Sequence, residues 1–75
     1  MRKEVNAIVR KFVINSNGSV GYEKAWNRLY RFYNQVVHQN VKSRATRRHM
    51  KPLDVVEQEG NLEIIKILAE NLFVA

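Results

Sequence analysis

The sequence predicts an all-α fold, a compact single domain (residues 1–75) of four to five short helices around a central aromatic helix. Three observations predict it. Residues 22–33 hold the only tryptophan and all three tyrosines, and their large apolar residues recur every three or four positions, as on one side of a helix. Similar stripes mark the first and last segments of the chain. Glycine, asparagine and proline residues separate these segments, and 75 residues suffice for one domain.

The first helix is predicted over about residues 3–13, where apolar side chains recur at i, i+3, i+4, i+7 and i+8. They are Val5, Ile8, Val9, Phe12 and Val13. The turn-forming residues that follow predict a loop over 15–21. An alternative is a short β-hairpin through Asn17-Gly18, with 12–15 and 19–22 as strands. We rank it lower, because an isolated hairpin is marginally stable at best.

The central helix is predicted to begin at a cap on Ser19 or Gly21 and to end near residues 35–37. Its apolar stripe is predicted to face the core, which turns its basic residues outward. The stripe comprises Tyr22, Trp26, Leu29, Tyr33, Val36 and Val37, and Ala25 and Phe32 widen it. The basic residues are Lys24, Arg28 and Arg31. Tyr30 lies off the main stripe and is the best candidate for an exposed aromatic residue. The alternative is that it belongs to the core or its rim, like Tyr22, Trp26 and Tyr33.

The third helix is predicted over 41–49, with Asn40 as its cap, and it is the least apolar and most basic segment. Pro52 suits the first position of a fourth helix, and Gly60 suits the left-handed conformation that ends it. Inward-facing residues of these two segments are Val41, Ala45, Met50, Leu53 and Val56.

The final helix is predicted to have Asn61 as its cap and to carry an unusually broad apolar face. Such breadth predicts burial on more than one side, against the central helix and against a second copy of the chain in a homo-oligomer. The face comprises Leu62, Ile65, Leu68, Ala69 and Leu72, widened by Ile64, Ile67 and Phe73.

The charge distribution is uneven along the chain. The formal net charge is +6, and no acidic residue occurs between Lys24 and Pro52, whereas acidic residues dominate from Leu53 onward. The basic middle is suited to phosphates or to an acidic protein surface. The alternative is that it pairs internally with the acidic C-terminal segment. The chain has no cysteine, which excludes disulfides and thiolate metal sites.

No arrangement of residues indicates catalysis, so the sequence predicts a protein that is not an enzyme and needs no metal or cofactor. The glycines do not form a phosphate-binding loop. His38 and His49 are too far apart for one helical metal site. The serines have no histidine–carboxylate arrangement beside them.

The third helix follows another helix and a polar connector, which is the order of elements in a helix-turn-helix DNA reader. Ser43 and Thr46 are the residues suited to base edges, and the cations are suited to phosphates or to an acidic surface. The candidates for that contact are Lys42, Arg44, Arg47, Arg48 and Lys51. A second candidate site, for a protein partner, is Tyr30 with Arg28 and Arg31, because aromatic residues and arginine dominate interface hot spots.

The series AWNRLYRFYNQVVHQNVKSRA, a short basic stretch and KPLDVVEQEGNLEIIKILAENLF together resemble the C-terminal module of bacteriophage antirepressor proteins. That family has, in order, a tryptophan or tyrosine before Asn-x-Leu-Tyr, an aromatic turn with a histidine, Lys-x-Arg-Ala, and Leu-Asp-x-x-Glu-x-x-Gly before a final amphipathic helix. The resemblance covers nearly the whole chain, and the order of the motifs carries it. The matching positions are Trp26, Asn27, Leu29, Tyr30, Tyr33, His38, Lys42, Arg44, Ala45, Leu53, Asp54, Glu57 and Gly60.

The resemblance implies a small phage or prophage regulatory protein in the cytoplasm of a bacterial host, which counteracts a repressor through protein contacts. Family members commonly join this module to an N-terminal domain. This chain departs from that pattern, so it is expected to be an isolated module, a fragment, or a small phage protein that reuses the fold against another target.

We therefore expect a protein-binding module that inhibits a DNA-binding protein by occlusion. Its partner would be a repressor or another nucleic-acid-binding protein. The alternative function is a transcriptional regulator that binds double-stranded DNA directly through the basic helix 41–51.

Overall fold

Five helices form the chain in a computed structural model, which describes residues 1–74. They are α1 (Arg2–Asn15), α2 (Tyr22–Val37), α3 (Val41–Arg48), α4 (Pro52–Gln58) and α5 (Leu62–Phe73). The predicted all-α fold is confirmed. The hairpin alternative is wrong, because no residue from 1 to 74 is in a strand and α1 continues to Asn15.

Ser16 organises the loop between α1 and α2. Its hydroxyl donates to the carbonyl oxygen of Val13 at 2.6 Å and accepts from the backbone N–H of Val20 at 3.2 Å. Asn17 and Gly18 take the left-handed conformation, with φ of 53° and 86°. The loop therefore starts one residue later than predicted, and Gly21 is the residue that precedes α2.

Three predictions about the ends of α3 and α4 are confirmed: the Asn40 cap, Pro52 at the start of α4, and the left-handed Gly60. The Asn40 side chain accepts from the backbone N–H of Ser43 at 3.0 Å, as a cap does. The helix ends one residue earlier than predicted, because His49 is left-handed with φ of 56°. Pro52 is the first residue of α4, and Gly60 is left-handed with φ of 73°.

Asn61 occupies the N-cap position of α5, as predicted, but its side chain makes no capping hydrogen bond. The Asn61 side-chain amide instead donates to the Tyr33 hydroxyl at 3.0 Å. Tyr33 is fully buried, and a buried hydroxyl needs a partner. The Asn61 side chain therefore satisfies a buried hydroxyl of α2 and does not cap the first turn of α5.

The core lies where α2 and α5 meet, since each of these helices packs against three others. α2 contacts α1, α3 and α5, while α5 contacts α1, α2 and α4; α3 also packs on α4. All thirteen buried residues form one cluster. They are Val5, Val9, Ala25, Leu29, Tyr30, Tyr33, Val41, Ala45, Leu53, Val55, Val56, Ile65 and Ala69.

Ion pairs hold the N-terminal half of α1 in place. Arg2 contacts Asp54 at 2.5 Å and Glu57 at 3.2 Å, both on α4. Glu4 contacts Lys66 of α5 at 2.5 Å. The Arg2 hydrogen bond lowers the pKa of Asp54, and the Lys66 hydrogen bond lowers the pKa of Glu4.

Candidate binding surface

The cations of α3 divide into two groups, those that pair with a carboxylate and those that do not. Arg44 and Arg48 turn toward α4, where both reach the Glu59 carboxylate, Arg48 at 4.0 Å. Arg44 also donates to Gln39, and Arg48 donates to Gln58 at 2.8 Å. The alternative of internal pairing therefore holds for these two arginines, which occupy the side of α3 that packs toward α4.

Lys42 and Arg47 are the other two cations of α3, and both remain exposed. Neither makes an ion pair with any carboxylate in the described part of the chain. The Lys42 ammonium donates to the side-chain oxygen of Asn27 on α2. This contact joins the outer side of α3 to the polar side of α2.

The polar side of α2 carries Lys24, Arg28 and Arg31, all exposed. Their spacing of four and three residues places them on one side of the helix, next to Asn27. No ion pair within residues 1–74 involves them. We call the five unpaired cations of α2 and α3 the basic surface. They are Lys24, Arg28, Arg31, Lys42 and Arg47.

One carboxylate, Glu23, borders the basic surface in the first turn of α2. It makes no ion pair with another described residue. Its position suits the helix dipole. The basic surface therefore keeps a strong positive excess, and the helices beneath it fix the spacing of its charges.

Lys51 is not brought to the basic surface. It precedes α4 and lines a cleft of about 350 Å³ whose other walls include Trp26, Tyr30 and Leu53. Trp26 and Tyr30 lie on the opposite side of α2 from Lys24, Arg28 and Arg31. Of the five predicted residues of the basic segment, only Lys42 and Arg47 are thus available on the basic surface.

Tyr30 is not an exposed aromatic residue, and the alternative, that it belongs to the core, is confirmed. Its side chain is 7% exposed and stacks on Trp26, with ring centroids 5.5 Å apart. Arg2 from α1 and Leu53 from α4 lie in the same cleft. Burial raises the pKa of Tyr30 to about 12. Tyr30 is a core residue, so the predicted partner site retains only Arg28 and Arg31.

The flank of the α2 stripe opposite Tyr30 is exposed to solvent, which the sequence did not predict. Phe32 is 42% exposed and Val36 is 50% exposed, although both were predicted to face the core. Ile67 of α5 is also 50% exposed. Phe32 shares a shallow cleft of about 210 Å³ with Leu68, Asn71 and Leu72 of α5. The sequence signal was that Phe32 lies one turn from Arg28, on the edge of the stripe nearest the charged residues.

Tyr22, also predicted to lie in the stripe, is 49% exposed. It is the first residue of α2, so it lies at the edge of the core, where few neighbours can cover it. Trp26 and Val37 pack partly buried against the core, and Leu29 and Tyr33 are fully buried.

Within residues 1–74 no three histidine, cysteine, aspartate or glutamate residues are grouped so that they could hold a metal ion. None of the five described helices combines the length and the apolar character needed to cross a bilayer. Comparison with protein-family models, with curated proteins and with solved structures finds no match to this chain.

Proposed function

We propose that this protein is a non-enzymatic binding module whose basic surface covers an acidic surface of a protein partner. The observation that supports the proposal most directly is the set of five exposed cations on α2 and α3 that have no carboxylate partner in the described chain. Such a surface steers an oppositely charged partner and fixes its orientation.

The division of the α3 cations favours a protein partner over DNA. Arg44 and Arg48 are engaged by Glu59, which leaves Lys42 and Arg47 as the cations of α3 that are free to contact phosphates. The remaining cations spread over two helices, and the α2 residues contribute most of them. A broad surface of this kind fits the face of a folded protein.

The regulatory role that we propose is occlusion of a DNA-binding protein, such as a repressor, in the cytoplasm of a bacterial host. It follows from the resemblance to the phage antirepressor module. Several positions that carry the resemblance, among them Leu29, Tyr30, Tyr33 and Ala45, are buried here. Buried positions of this kind support a shared fold more than a shared partner.

Direct binding of double-stranded DNA is the second candidate. The observation that favours it is that Lys42, Ser43, Thr46 and Arg47 are all exposed on α3. Against it, the Thr46 hydroxyl donates to the backbone carbonyl of Lys42 at 3.0 Å, so its proton is engaged within the helix.

A matched pair of charge reversals tests the proposal. Arg31→Glu with Arg47→Glu removes two cations from the basic surface. Lys3→Glu with Arg10→Glu makes the same change in net charge on α1, where both residues are exposed and lack ion pairs in the described structure. We expect nuclease-treated host lysate to yield a DNA-binding protein on the native chain and on the α1 control, and to yield none on the basic-surface variant.

Fluorescence anisotropy with a labelled duplex separates the two candidates. We expect weak duplex binding at physiological salt by all three proteins. Tight duplex binding that is lost in the basic-surface variant and falls steeply with salt would establish the DNA-binding alternative. Equal protein capture by the basic-surface variant and the control would contradict the proposed function.

A further inference from the structure

We propose that the open flank between α2 and α5 is a homodimer interface, on which a second copy of this chain packs about a two-fold axis. We call this flank the apolar patch and define it as Phe32, Val36 and Ile67 with the partly buried Leu68 and Leu72. The inference does not depend on the proposed function.

The apolar patch spans two adjacent helices, and Ile67 lies one turn of α5 before Asn71, which lines the Phe32 cleft. Phe32 and Val36 are one turn apart on α2, and Phe32 shares its cleft with Leu68 and Leu72 of α5. Three of the seven large hydrophobic side chains that are exposed in the described chain lie here. Exposed apolar surface that gathers in one place, instead of being scattered, marks interaction sites.

The directions of the helices place opposite charges at opposite ends of the patch. α5 runs parallel to α1, because Glu4 meets Lys66 and Phe12 stacks on Phe73. α1 and α2 pack on each other across the short loop 16–21, so α2 runs against α5. Arg28 precedes Phe32 by one turn of α2, and Glu63 precedes Ile67 by one turn of α5. Arg28 and Glu63 therefore lie at opposite ends.

This arrangement is self-complementary. A two-fold axis through the centre of the patch brings the Arg28 end of one copy over the Glu63 end of the other, twice. Glu63 is exposed and, like Arg28, makes no ion pair within the described residues. The second copy supplies an ion-pair partner for Arg28 and for Glu63, which lies near Lys66 of its own chain without a direct ion pair. It also covers the apolar side chains between them.

A second open cleft elsewhere in the molecule lacks such complementary charges. It lies between α1 and the end of α5, has a volume of about 400 Å³, and includes Phe12, Phe73 and Val74 in its lining. Among the described residues of its lining, the charged one is Lys11. A second copy placed there would meet the same positive charge, so we assign the dimer to the α2–α5 patch.

A dimer would also bring two basic surfaces into one assembly, because Arg31 and Lys24 continue around α2 from Arg28. Arg28 lies at the border between the basic surface and the apolar patch. Two linked copies bind a partner with two acidic sites more tightly than either copy does alone.

Sedimentation equilibrium over a series of protein concentrations tests the interface. We expect the native chain to approach twice the mass of a single chain. Ile67→Lys should weaken the dimer by about tenfold or more. Ile14→Lys, at a residue that is 60% exposed on α1, is the control and should leave the dimer intact.

A charge-swap cycle makes the test specific to the proposed geometry. Arg28→Glu alone and Glu63→Arg alone should each weaken the dimer, because each opposes like charges at both ends of the patch. The double variant, Arg28→Glu with Glu63→Arg, should restore it. Circular dichroism confirms that each variant is helical before its mass is interpreted.

The proposal is overturned if the native chain stays monomeric at every concentration, since the patch would then be free for a different protein. It is also overturned if Ile67→Lys dimerises as well as Ile14→Lys, or if the double swap fails to recover what the single swaps lose.

Discussion

The two flanks of α2 carry aromatic residues that are only two positions apart in the sequence. One of these residues is buried and the other is exposed. On one flank, Tyr30 is 7% exposed and stacks on Trp26, beneath residues of α1 and α4. On the other flank, Phe32 is 42% exposed in a shallow cleft beside α5. The first flank is covered by the fold, and the second is the one on which we propose that a second copy packs.

The difference comes from the neighbouring helices and their ion pairs. Arg2 bridges α1 to Asp54 and Glu57 of α4, and the cleft that holds Tyr30 is lined by Arg2 and Leu53. No described helix lies over Phe32. Whether a helix flank is buried therefore depends on which distant segments pack on it, as well as on its own side chains.

The largest expected effect is on folding stability. Tyr30→Ala removes a buried ring and should cost about 3–5 kcal/mol of unfolding free energy. Phe32→Ala should cost about 1 kcal/mol or less in the monomer, because much of its ring is already in water. Urea unfolding at low protein concentration measures both values. Equal losses would contradict the contrast between the flanks.

An alkaline titration sharpens the same contrast. Burial favours the neutral phenol of Tyr30 and raises its pKa from 10.0 to about 12. This contribution to stability is complete below pH 10 and is lost as the pH rises toward 12. We expect the native chain to lose stability over that window by thermal unfolding.

Tyr30→Phe is the control for the alkaline titration, because it keeps the ring and removes the ionisable group. Its stability should fall less over the same window, although burial also raises the pKa of Tyr33. An identical loss in the two proteins would show that Tyr30 ionises without cost, which a buried phenol cannot do.

The smallest expected effect concerns the ion pairs that close the covered flank. Arg2 lowers the pKa of Asp54 from 3.8, and Lys66 lowers that of Glu4 from 4.5. The stability that these two ion pairs contribute is complete at a pH above the ordinary pKa values. It is lost as the pH falls through the lowered pKa values. We expect acid to loosen α1 and to change the fluorescence of Trp26, the only tryptophan.

Asp54→Asn should show part of this fluorescence change already at pH 7, and a smaller further change in acid. Glu70→Gln is the control, since Glu70 contacts Lys66 only at 3.9 Å within α5 and does not bridge to α1. If both variants respond to acid as the native chain does, the Arg2 bridge does not hold the covered flank closed.

The structural features that depend on residues adjacent in the chain were predicted correctly from the sequence. The Asn40 cap, Pro52 at the start of α4 and the left-handed Gly60 are local features, and the structure confirms all three. Leu29 and Tyr33 lie at the centre of the α2 stripe and are buried whichever helices pack there.

The sequence could not predict which edge of that stripe is covered. Tyr30 and Phe32 lie on opposite edges, and the positions of α1 and α4 decide between them. Likewise, internal pairing of the basic and acidic halves was an open alternative. The choice of Glu59 as the partner of Arg44 and Arg48 depends on how α3 packs on α4.

The most direct test of the contrast between the flanks is the relaxation of ring protons by a soluble gadolinium chelate in solution NMR. The Arg28→Glu variant, which we expect to be monomeric, leaves both flanks as the fold alone determines them. We expect strong relaxation of the Phe32 ring and weak relaxation of the Tyr30 ring. Relaxation of Tyr30 as strong as that of Phe32 would contradict this contrast.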